Sequence, residues 1–172
     1  EEDEQHRIRY RWRERKKQIE LDGNSVQDRK ELVSILPCIL FGHDDIHFVS
    51  GSPEKQRFFF DQSLSLYDPF YIDVLRRYRR VLRARNDTLK EGRHELLDVY
   101  DRQLAEHGLA LQERRHEAVS RFNETFVEQF HRIAGIDETL RIVFRPSWSE
   151  VSSTDEVVRK LGRQRERDLR YR

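Results

Sequence analysis

Residues 49–90 read VSGSPEKQRFFFDQSLSLYDPFYIDVLRRYRRVLRARNDTLK, and two helix starts are written into them. Ser52 can cap, Pro53 stands where its missing N–H costs nothing, and Glu54 lies at the positive end of a helix dipole. Phe58 to Phe60 and Leu64 follow. Asp68-Pro69 then repeats the punctuation. Beyond it Tyr71, Val74, Leu75, Tyr78, Val81, Leu82 and Leu89 recur at helical spacing on one face. Arg76, Arg77, Arg79, Arg80 and Arg83 lie off that stripe. The spacing predicts two capped helices, the second about 33 Å long at about 1.5 Å per residue.

Outward from this stretch the pattern changes on both sides. Before it, Ile8, Tyr10 and Trp12 alternate with Arg7, Arg9, Arg11 and Arg13, the period of a strand with one buried face. Lys17 to Leu21 reads as its partner, closed by the turn signal Asp22-Gly23. Asp28 can cap a short helix that Pro37 ends, and Cys38 to Phe41 is an apolar run with the length of a buried strand. After Glu91-Gly92, Leu97, Tyr100, Leu104, Leu111, Ala118, Phe122, Phe126, Phe130 and Ile133 mark one long amphipathic helix or a helix pair. If continuous it is about 60 Å long, and Gly108 is a candidate kink. Leu140, Ile142 and Phe144 alternate like a strand. Ser152 to Thr154 offer caps for a charged last helix whose apolar positions are Val157, Val158, Leu161 and Leu169.

Composition agrees with helices rich in surface. Of 172 residues, 38% are charged and 36% hydrophobic, against about 25% charged in an average domain. Net charge is +1, so no whole-chain field draws nucleic acid, and any basic surface must be local. Six of the 33 basic residues are lysine and the rest arginine, a group suited to phosphate forks and to ion-pair networks alike. The 32 carboxylates can pair with these arginines along exposed helix faces, and the arginine row on the first strand reads equally as a solvated sheet face. A single cysteine, Cys38, leaves no internal disulfide and suits a reducing cytoplasm. No run of about 18 apolar residues is present to span a membrane. The chain has no methionine and starts at Glu1, so it reads as a piece of a longer protein.

Two chemical motifs are only fragments. His43 and His47 stand four apart, as zinc ligands on a helix do, but the metalloprotease pattern needs Glu after the first His and finds Asp44; no metal site is assigned. An apolar strand followed by acidic residues resembles a magnesium-binding strand, yet the phosphate-loop pattern Gly-x-x-x-x-Gly-Lys-Ser/Thr is absent. No catalytic residue is assigned, and no ATP hydrolysis is expected of these residues alone.

The order Gly51-Ser52-Pro53, Lys55 and Arg57, Phe59-Phe60-Asp61, Arg77-Tyr78-Arg79-Arg80, Arg85-Asn86 and Leu89-Lys90 resembles the RecF family, bacterial DNA replication, recombination and repair ATPases related to the ABC and SMC proteins. Arg165-Glu166-Arg167-Asp168-Leu169 resembles it again. The family junction that usually reads Ser-Pro-Glu-Asp is Gly42-His43-Asp44-Asp45 here. The resemblance implies an α+β, predominantly helical chain: a long antiparallel helical arm with a small antiparallel β lobe. Residues 1–45 are then a β-rich piece of the ATPase head, 46–135 the arm, and 136–172 a strand and helix returning to the head. It further implies, for the full-length family, ATP and magnesium as cofactors and an ATP-dependent homodimer. Binding is expected at gapped DNA with single-strand/duplex junctions, with RecO and RecR as partners in placing RecA on single strands. A phosphate loop and a signature motif are both missing from this stretch.

The expected DNA contacts are Arg76, Arg79, Arg80 and Arg83, a solvent-facing ridge at three- and four-residue spacing that would position a backbone without reading sequence. Arg85 lies on or beside the apolar stripe, where a charge must be paired; it is expected to be a structural ion-pair residue, with Asp61 as a candidate partner. The competing reading is a mechanical spacer or protein-interaction coiled-coil module that never touches DNA, which the near-zero net charge favours.

Overall fold

The computed structural model describes residues 5–13, 16–40, 42–136, 138, 140–151 and 153–170. The elements in order are β1 (Ile8–Arg13), β2 (Lys16–Leu21), β3 (Asn24–Ser25), α1 (Lys30–Ile35), a 3-10 turn (His43–Ile46), α2 (His47–Ser50), α3 (Pro53–Tyr67), α4 (Pro69–Glu91), a second 3-10 turn (His94–Leu96), α5 (Leu97–Ala134) and α6 (Thr154–Arg170). Helix predominates over one three-stranded antiparallel sheet. The chain divides into two compact units, Glu1–Ile72 and Asp73–Arg172.

In the first unit, β1 and β2 pair from Ile8↔Leu21 to Arg13↔Lys16. Asp22 and Gly23 both take positive φ, 51° and 89°, the two-residue turn whose twist suits a hairpin. Asp22 also holds the start of β1: its Oδ1 accepts from the Arg7 amide at 2.7 Å and its Oδ2 lies 2.8 Å from His6 Nδ1. Its carboxyl is held below the ordinary carboxylate range by the Arg7 amide first and His6 second.

The register puts Ile8, Tyr10 and Trp12 on one face with Ile19 and Leu21. That face was expected to be buried, but Trp12 is 57% exposed: among the described residues no second layer covers it. Trp12 is instead capped by the Lys17 ammonium, 5.2 Å from its ring centre. The apolar run Cys38–Leu40 is likewise exposed and forms no strand, since the sheet ends at β3; Phe41 lies outside the described residues. Helix α3 starts as its sequence directs, with Ser52 Oγ accepting from the Lys55 amide and Pro53 in the first turn. Phe48, Phe59 and Phe60 pack ring on ring behind it. Asp68 Oδ1 accepts from the Phe70 amide at 2.9 Å and opens α4.

The second unit has its core where three helices meet. Val81 of α4, Leu104 and Ala105 of α5, and Val157 and Leu161 of α6 are buried together, ringed by Tyr78, Leu82, Tyr100, Trp148 and Val151. α5 is one continuous helix, and Gly108 within it is a packing residue. A Cβ there would stand 2.4 Å from Trp148 Cζ3, so the missing side chain is the indole's seat. Tyr78 of α4 also approaches this glycine, while Arg85 reaches Asp101; α4 and α5 therefore run antiparallel. Gly135, at φ 64°, ends α5 with its amide on the His131 carbonyl.

The strand expected at 140–145 does not form: these residues take no regular secondary structure, and the strands of the sheet all lie in residues 8–25. A side chain takes the place of a neighbouring strand: Asn123 donates from Nδ2 to the Ile142 carbonyl and accepts at Oδ1 from the Ile142 amide, both at 2.8 Å. Ser153 Oγ accepts from the Glu156 amide to start α6; of the other expected caps, Thr154 is the first residue of the helix and Ser152 lies outside the described residues, as does the Leu169 side chain.

Candidate nucleic-acid interface

The inward face of α4 is set by its apolar stripe and by one charge. Leu75, Val81, Thr88 and Leu89 are buried, and so is Arg85. Its guanidinium donates from Nε to Asp101 Oδ1 at 2.5 Å and from Nη2 to Asp168 Oδ2 at 3.1 Å. Asp101 is fully buried and serves a second guanidinium with its other oxygen: Arg165 donates to Oδ2 from Nε at 2.9 Å and from Nη2 at 2.7 Å, and Nη2 also reaches Asp98 at 2.5 Å. Burial alone would make Arg165 easier to deprotonate, but the bonds to Asp98 and Asp101 outweigh it and raise its pKa further. One carboxylate thus joins α4, α5 and α6.

Arg85 is a buried ion-pair residue, but its carboxylates are Asp101 and Asp168 rather than the proposed Asp61. Asp61 is itself buried and accepts from Tyr71 Oη at 2.5 Å; the aromatic hydroxyl three residues into α4 supplies the proton that a guanidinium was expected to supply. Asp101 was missed. Its signal was present in its position: it stands four after Leu97 and three before Leu104, on the apolar stripe, where a carboxylate must have a cation.

With that face turned inward, Arg76, Arg79, Arg80 and Arg83 are exposed on the outside of α4. Arg76 leans on Asp73 at 3.8 Å. Arg80 and Arg83 have no carboxylate within ion-pair distance among the described residues. Chemically the ridge offers guanidinium donors and no acceptor, no nucleophile and no general base. His43 is exposed, the His47 side chain lies outside the described residues, and no group of three metal-ligating side chains occurs among the described residues.

No family model matches the chain. Its sequence is 42% identical over 154 residues, 90% of its length, to the DNA replication and repair protein RecF of Treponema pallidum (strain Nichols). The chain is a relative of the RecF proteins. RecF of Leptospira interrogans serovar Copenhageni is 28% identical over 90% of the chain, and RecF of Trichlorobacter lovleyi is 30% identical over 91%. The chain spans less than half of each relative: 43%, 42% and 43% of their lengths. Two solved structures of the recombination mediator protein RecF of the RecFOR pathway, described as RecF-ATPrS and RecF-ATP, share the fold. Their TM-scores are 0.83 and 0.77 at 22% and 20% identity, over 96% of this chain and 47% of theirs. The 172 residues hold no Gly-x-x-x-x-Gly-Lys-Ser/Thr loop of the kind that cradles phosphates. No helix among the described residues is long and apolar enough to cross a membrane.

Proposed function

We propose that this chain supplies a DNA-contacting surface to a RecF-like replication and repair protein, with Arg76, Arg79, Arg80 and Arg83 of α4 meeting the phosphate backbone. The observation that carries the reading is the pair Arg80 and Arg83, exposed and without a carboxylate partner among the described residues. Such contacts hold a strand in place without reading its bases, and their affinity falls steeply with salt. The buried Arg85–Asp101–Arg165 cluster keeps the ridge facing outward.

On this reading the preferred ligand is gapped DNA with a single-strand/duplex junction. The full-length protein works as an ATP- and magnesium-dependent homodimer in the cytoplasm, with RecO and RecR, to load RecA. These residues carry no step of ATP hydrolysis. The test is reversal of Arg76 and Arg80 to Glu in the chain, titrated with gapped DNA of several sequences. Weaker binding by a similar factor for every sequence is expected. Unchanged binding with unchanged helicity would favour the second reading, a mechanical or protein-binding spacer, which the net charge of +1 supports.

A further inference from the structure

Helix α6 carries a second arginine ridge, and the contacts of its opposite face show where it points. Val157 and Leu161 are buried in the three-helix core. Arg165 and Asp168 are tied to Asp101 and Arg85. With that side turned inward, Arg159, Arg163 and Arg167 fall on the other side, and all three are exposed. Steps of four residues advance about 40° around a helix and about 6 Å along it. The three guanidiniums therefore share one narrow sector and repeat at near-even distances.

None of the three has an ion-pair partner among the described residues. Carboxylates are not scarce, at 32 for 33 Lys and Arg. Asp155 stands four before Arg159, where it would pair along the helix, yet its carboxylate lies 3.4 Å from Arg102 of α5 instead. Like charges at four-residue spacing also weaken a helix. A row without partners among the described residues, kept against that cost, fits an external polyanion whose charges repeat at short, regular intervals.

We infer that Arg159, Arg163 and Arg167 form a second phosphate-contacting ridge for a nucleic-acid strand, separate from the ridge on α4. The class of ligand rests on the DNA-binding reading above; the surface does not. Guanidinium groups fork onto phosphate oxygens where a lysine would supply only a point charge. An acidic protein segment is the other polyanion such a row attracts, and a regular charge repeat favours the nucleic acid.

The experiment is fluorescence anisotropy of a labelled duplex with a single-stranded tail, titrated with the full chain between 50 and 200 mM salt, values chosen to span about a fourfold range. The variant Arg159→Gln/Arg163→Gln/Arg167→Gln should bind about tenfold more weakly at the lowest salt. Its slope of log K against log salt should be shallower by about 2–3, at roughly 0.9 per lost phosphate contact. Should the triple variant lose helicity, each single variant should lower the slope by about 0.9. A paired residue provides the control: Arg114 lies 3.6 Å from Glu117 on α5, and Arg114→Gln should leave the slope alone. An unchanged slope in the ridge variants overturns the inference, as does an equal effect from Arg114→Gln, or displacement of the DNA by a poly-glutamate peptide at lower concentration than by unlabelled DNA. Arg80→Gln/Arg83→Gln run beside them separates the two ridges. Loss only in the α6 variants removes the α4 reading and keeps this one; loss only in the α4 variants does the reverse.

Discussion

Asp101 is the residue on which the second unit turns. It is fully buried, and its two oxygens answer two guanidiniums from different helices. Replacing it by Ala leaves Arg85 buried beside Asp168 alone, and removing one partner of a buried pair costs about 3–5 kcal/mol. Urea denaturation should find Asp101→Ala destabilised by about that amount, with Arg165→Ala milder because its side chain is a quarter exposed. Equal stability of Asp101→Ala and the parent would refute the central role given to this carboxylate.

Asp22 makes a pH prediction of known sign. Its carboxyl titrates below its ordinary value in the folded hairpin. The stabilisation is therefore present above the unfolded value, about 3.9, and is lost as pH falls through the lower folded value. The Arg7 amide, followed by NMR, should stay hydrogen-bonded at neutral pH and lose that signature only in acid, and Asp22→Asn should abolish the titration.

At the scale of elements, one side chain stands in for secondary structure and one missing side chain makes room for a neighbour. Asn123 completes the hydrogen bonding of Ile142 that a strand would otherwise complete. Asn123→Ala leaves both backbone groups without it and should cost about 1–3 kcal/mol, with faster amide exchange at Ile142 as the local readout. Gly108 gives Trp148 room in the middle of α5. Gly108→Ala gains about 1 kcal/mol of helix propensity, but overpacking costs about 1–3 kcal/mol. The variant should melt lower, and Trp148→Leu should relieve it.

These cases show what was legible in the sequence. Both helix starts at Ser52-Pro53 and Asp68-Pro69 were, because a cap and a proline act within one turn. So was the Asp22-Gly23 hairpin, whose backbone chemistry is local. The strand expected at 140–145 was not, because alternation records which side chains face inward and leaves open what bonds the backbone. The partner of Arg85 was misplaced for a similar reason. Burial of the charge followed from its stripe, while the choice between Asp61 and Asp101 depended on which helix packed against α4.

At the scale of the whole molecule, each exposed arginine ridge lies opposite a helix face with internal partners. α4 turns Leu75, Val81 and Arg85 inward and leaves Arg80 and Arg83 outside; α6 does the same with Val157 and Leu161 against Arg159 and Arg163. Net charge hides this, since +1 is the balance of 33 cations and 32 anions, whereas binding depends on where the unpaired ones stand. The most direct test is the salt dependence of DNA binding by the chain and by Arg80→Gln/Arg83→Gln. The account predicts a steep parent slope that the variant lowers by about 2, at roughly 0.9 per phosphate contact, with thermal stability unchanged. Identical slopes for the two proteins would contradict it.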